Sequence, residues 1–90
     1  MAFTGTNPKM VARDIADGYV LLTMATVRKY NQPQLKTLND NLTIVERELR
    51  QEHYEPDEVE NIKKKHMRLQ RIFRAKTLIQ TYAKKWKISV

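Results

Sequence analysis

The side chains of this 90-residue chain that could bind a metal or move a proton are two histidines and ten carboxylates; cysteine is absent. Absence of cysteine removes thiolate ligands, disulfides and cysteine nucleophiles, and it fits a reducing interior. His53 and His66 stand thirteen residues apart, whereas a helical zinc site needs two histidines about one turn apart. Asp14 and Asp17 share a helical face, but with no third carboxylate or histidine beside them they read as solvated charges. Glu58 and Glu60 open a helix and suit the positive end of its dipole. The only glycines, Gly5 and Gly18, belong to no GxxxxGK pattern, so no phosphate-cradling loop is expected. The expectation is therefore a non-enzyme: no catalytic residue, no metal, no cofactor.

What these residues can do depends on the elements that carry them. Hydrophobic residues make up 41% of the chain and charged residues 30%, enough apolar surface for one small core. Pro8, Pro33 and Pro56 each precede a long stretch of helical periodicity, and proline suits the first helical turn because its missing N–H has no partner there. With Asn7 as a good cap and Gln32 and Glu55 as weaker ones, helices are predicted at about 8–30, 33–53 and 56–87. Residues 1–7 are predicted as a flexible N-terminus and 8–90 as a single helical domain. The fold class is all-α: a three-helix bundle, or a helical hairpin with a long third helix, associating as a dimer.

Each predicted helix has its own apolar pattern. In the first, Val11, Ala12, Ile15, Ala16, Tyr19, Val20, Leu22, Val27 and Tyr30 cover about half the circumference, making it the most buried. Gly18 in its middle costs roughly 1 kcal/mol against alanine and marks either a close crossing or simple tolerance. Leu21 and Met24 project from the charged side towards a partner. In the second, Leu35, Leu38, Leu42, Val45 and Leu49 form one narrow seam, with Ile44 almost opposite. The third changes face. Val59, Ile62, His66, Leu69 and Phe73 fall within about 80°, which makes His66 a core or boundary histidine. Beyond Phe73 the apolar residues Ala75, Leu78, Ile79, Tyr82 and Trp86 lie roughly 140–160° around from that stripe. Either the helix bends near Phe73-Arg74, or Leu78, Ile79, Tyr82 and Trp86 meet a second copy; the dimer is the preferred reading, since no proline or glycine is there to cause a bend.

The charge is also unevenly placed. Residues 1–55 hold seven basic and seven acidic side chains, so the whole formal charge of +7 belongs to residues 56–90. From Lys63 onward there is no acidic residue. Lys64, Arg68 and Arg71 lie within about 60° on the helical wheel, flanked by Lys63 and Arg74, and such a stripe can follow phosphates. No helix-turn-helix, zinc finger or RNP-like strand accompanies it, so base reading is not expected. The functional expectation is a small basic DNA- or RNA-binding protein, a regulator or accessory factor, contacting phosphates through Lys63, Lys64, Arg68, Arg71 and Arg74. The alternative is a non-enzymatic adaptor or assembly protein that binds another protein through the exposed end of the third helix. The N-terminal residues lack a secretory pattern, and the longest nearly apolar stretch, Tyr19 to Val27, is far short of the ~20 residues of a spanning helix. A cytoplasmic protein is expected.

Overall fold

Asn7 and Pro8 start the first helix as their chemistry dictates. In the computed structural model, which describes residues 7–88 and 90, the Asn7 side chain accepts from the Lys9 N–H at 2.9 Å and Pro8 takes the first turn of α1 (Pro8–Asp17). Residues 1–6 lie outside the described residues, and Asn7 belongs with the helix it caps.

The expected long first helix is two helices. The backbone turns left-handed at Gly18, with φ 85°. The Gly18 N–H donates to the Ile15 carbonyl at 3.2 Å and the Tyr19 N–H to the Asp14 carbonyl at 2.9 Å, which together close a Schellman motif. Glycine tolerates this φ, whereas any side chain is strained there. The chain then crosses to a single-turn helix, α2 (Met24–Val27), capped by the Thr23 hydroxyl. This turn also corrects the assignment of the buried face: Leu22, Val27 and Tyr30 are buried, but Tyr19 is 81% exposed, while Leu21, expected on the outer side, is exposed there.

In α3 (Gln32–Arg50) the cap is Asn31, one residue ahead of the expected Gln32. Its side chain accepts from the Gln34 N–H while the Gln34 side chain accepts from the Asn31 N–H, both at 2.9 Å, so two otherwise orphaned donors are satisfied reciprocally. Leu35, Leu38, Leu42, Val45 and Leu49 are buried, as the seam predicts. Residues 51–58 form the connection, in which the Glu58 side chain accepts from the Glu55 N–H at 2.7 Å. That contact holds Pro56 in a turn outside the helix, and α4 (Val59–Trp86) begins three residues later than expected.

Helix α4 is continuous through Phe73 and Arg74, with no break or bend-forming turn. At 28 residues it is about 42 Å long, against roughly 28 Å for α3 and 15 Å for α1. Helices α1, α3 and α4 pack against one another, and α2 touches α4. The face that α4 buries overlaps the second expected arc and not the first: Ala75 and Ile79 of that arc, with Ile72 and Ala83 beside them. Two alanines and two β-branched residues make a flat, narrow surface on which the leucine seam of α3 and the Val11-Ala12-Ile15-Ala16 face of α1 can close. The burial pattern along α4 is therefore the reverse of the expectation. Val59 is 52% and Phe73 67% exposed, His66 is exposed, and only Leu69 of that stripe packs partly on the core. All described residues with regular structure are helical; no strand occurs among them.

One ion-pair cluster joins α1 to α3. Glu48 bonds Lys9 at 2.9 Å and also Arg13. The Lys9 hydrogen bond holds the Glu48 carboxyl below its ordinary range, assisted by the charges of Lys9 and Arg13 and opposed by desolvation. A depressed carboxyl contributes stability above its unfolded pKa and loses it as pH falls through the folded value. Glu48→Gln is accordingly expected to lower the thermal midpoint at neutral pH, with the difference from wild type vanishing in acid; circular dichroism melts across pH check this. Gly18→Ala is expected to cost about 1–2 kcal/mol in urea unfolding, because alanine is strained at this φ and its Cβ would sit 3.0 Å from the Arg71 guanidinium carbon.

Candidate nucleic-acid interface on helix α4

The five cations expected to form one phosphate-binding stripe divide into two groups with different work. Arg68 Nε pairs with Asp17 at 2.9 Å, and Arg71 donates to the Ala16 carbonyl at 3.0 Å while its guanidinium lies against Gly18. Both bind the C-terminal end of α1, where the helix dipole and unpaired carbonyls favour positive charge. Arg68 and Arg71, expected on the phosphate-contacting stripe, are half-buried, and they clamp α1 to α4. Lys63, Lys64 and Arg74 are exposed and form no ion pair among the described residues.

Further free cations stand nearer the C-terminal end. Lys84, Lys85 and Lys87 are exposed and form no ion pair among the described residues, and Lys85 lies 5.9 Å from the centre of the Trp86 ring, a cation–π distance. Lysines at this end of a helix complement its dipole, and the buried face of α4 leaves them on the outer surface. Opposite that face run Lys63, Met67, Gln70, Arg74, Thr77, Thr81, Lys84 and Lys85, all exposed and spaced by helical turns. The line from Lys63 to Lys85 is about 33 Å long and contains no carboxylate. The acidic neighbours that do approach α4, Asp17 and Glu46, are on its packed flanks, paired with Arg68 and with Lys76 and Arg50.

The residues expected to meet a second copy are also redistributed. Ile79 is completely buried in the chain's own core, and Leu78 and Tyr82 pack partly against that core. The cover comes from the segment after Gly18: Val20 and Leu22 line a groove with Leu78 and Ala75. Because the chain breaks at Gly18 and folds back over α4, the premise that nothing covers these residues fails, and Ile79 is not available as a contact. Trp86 alone of the four remains largely exposed, at 57%, with the Tyr82 ring 6.3 Å away.

His53 and His66 are both exposed. Among the described residues no cluster of three or more His, Cys, Asp or Glu side chains could hold a metal, and no helix is long and apolar enough to cross a membrane.

The division of labour among the cations has a direct consequence for stability. Arg71→Gln is expected to cost about 1–2 kcal/mol through the lost charged hydrogen bond, whereas Lys64→Gln should stay within about 0.5 kcal/mol of wild type; urea denaturation separates them.

Comparison with protein-family models, with curated proteins and with solved structures finds no match to this chain.

Proposed function

We propose that this protein binds nucleic acid through the phosphate backbone, using the outer face of α4. One observation carries the reading. Among the described residues Lys63, Arg74, Lys84 and Lys85 on that face have no ion-pair partner, nor do Lys64 and Lys87 beside it, and no acidic residue interrupts the chain from Lys63 onward. Six unneutralised cations on and beside one helix are a cost to the folded state that an anionic polymer removes, and each phosphate they neutralise releases counterions. The span of about 33 Å is close to one turn of duplex. Exposed Tyr19 and Trp86, near Lys64 and Lys85 respectively, offer π-faces on which unpaired bases stack. No element is placed to read base edges, so positioning on the backbone is the proposed mode. A role as a cytoplasmic accessory factor goes with this reading.

A second reading has its own support. Leu21, 81% exposed, edges a groove of about 420 Å³ that Arg71 and Arg74 also line, a surface that fits an adaptor recognising a segment of alternating acidic and apolar residues.

The test is the salt dependence of binding to duplex and single-stranded oligonucleotides by fluorescence anisotropy. With three to five phosphate contacts the log–log slope on duplex should lie between about −3 and −5. The triple variant K63Q/K84Q/K85Q should flatten it by roughly two to three units, with affinity falling alike for unrelated sequences. Absence of binding at low salt, or an unchanged slope, refutes the proposal and leaves the adaptor reading, for which Leu21→Ser is the diagnostic change.

A further inference from the structure

Two exposed aromatic rings stand far apart along the flank of α4 that faces the segment after Gly18. Tyr19, 81% exposed, follows the left-handed glycine, and its N–H is fixed on the Asp14 carbonyl at 2.9 Å. Trp86, 57% exposed, is the last residue of α4, where the Ile88 N–H closes the helix on the Ala83 carbonyl at 2.7 Å. In both cases a helix-terminal turn holds the backbone while the ring stays in solvent. A ring anchored in this way loses little freedom when something stacks on it.

Each ring has a free cation beside it. Tyr19 shares a depression with Lys64, Met67, Arg68 and Arg71, and the one carboxylate that lines it, Asp17, is already paired with Arg68. At the other end Lys85 lies 5.9 Å from the centre of the Trp86 ring, with the Tyr82 ring 6.3 Å away. Between the two ends runs the groove edged by Leu21, Leu78 and Arg74, which no carboxylate lines. Among the described residues Lys64, Arg74 and Lys85 form no ion pair. They are ten and eleven residues apart, about 15 and 17 Å along the helix.

A duplex can meet these three cations, but its bases are stacked on one another and leave both rings in water. An unpaired strand offers phosphates to the cations and base faces to the rings at once. We infer that this flank of α4 prefers single-stranded nucleic acid to duplex, with one base stacked on Tyr19, another on Trp86, and the intervening phosphates on Lys64, Arg74 and Lys85. The preference rests on the nucleic-acid reading of α4 and names the form of polymer that the site takes. From Arg68, level with Tyr19, to Trp86 is about 27 Å. That is about eight nucleotides at the ~3.4 Å rise of a stacked strand, within the ~4–16 nucleotides that single-strand sites cover. Stacking and phosphate contact are common to DNA and RNA, so both strands fit.

Trp86 is the only tryptophan of the chain, so its emission reports directly on one of the two stacking positions. The experiment titrates the full, nuclease-treated chain at low salt with single strands of about twelve nucleotides, deoxythymidine and uridine in parallel, and with a duplex of the same length, a size within the ~4–16 nucleotide range. The single strands should bind about tenfold tighter than the duplex and quench Trp86, and the duplex should leave its emission unchanged. Tyr19→Ala and Trp86→Ala should each lower single-strand affinity about tenfold while duplex affinity stays within about twofold. Because neither change removes a cation, the salt slope should not move. Helical circular dichroism should be unchanged because both rings are exposed, and Tyr19→Phe and Trp86→Phe, which keep a π-face, should retain most of the affinity. Duplex binding as tight as single-strand binding, or single-strand binding without Trp86 quenching, overturns the inference and leaves backbone binding standing. Alanine variants that weaken both forms alike overturn it as well. Absence of binding to every form removes the inference together with the reading beneath it.

Discussion

The turn at Gly18 and the guanidinium of Arg71 that sits upon it form the joint on which the rest of the molecule depends. Glycine permits a positive φ, so α1 ends in a Schellman motif and the chain reverses instead of continuing as a long rod. Arg71 donates to the Ala16 carbonyl and packs where a Cβ would have been. A residue with a side chain at position 18 would strain the turn and displace the cation together. The segment that follows then lies across α4 and covers Ala75 and Leu78, which leaves the other end of α4 as the uncovered one.

That joint sets the division of charge. A cation at a helix C-terminus answers both an unpaired carbonyl and the negative end of the dipole; Arg71 is used in this way, and Arg68 pairs with the Asp17 carboxylate at the same end. Lys76 is likewise drawn to Glu46. What remains free is the set of cations that face away from the two packed helices. The exposed cations of α4 thus stand apart from the packing, while Arg68 and Arg71, close together on the helical wheel, are structural.

The choice of buried face on α4 follows from shape more than from hydrophobicity. Phe73 and Val59 are more apolar than Ala75 and Ala83, yet the alanines are inside. A short α1 and a leucine-rich α3 must both approach α4 closely, and alanine at two of four contact positions lets backbones come near. Bulky Phe73 would hold them apart. Of its two apolar arcs the helix consequently buries the small-residue side of the second, Ala75 and Ile79 with Ile72 and Ala83.

Much was legible without coordinates. Asn7 with Pro8 announced the start of α1, the seam of α3 was readable from spacing alone, and the carboxylate-free run after Lys63 located the basic surface. These features are local: capping, periodicity and composition act within a few residues. The break at Gly18, the burial of Ile79, the exposure of His66 and Phe73, and the capture of Arg68 and Arg71 were not legible. Each depends on which helices meet and where. A helical wheel ranks arcs by apolarity but holds no information on the length of the neighbours or the closeness of their approach. Helix identity and net charge were therefore determined by the sequence read locally, whereas the faces that stay exposed, and with them the candidate site, were decided only when three helices of unequal length packed together.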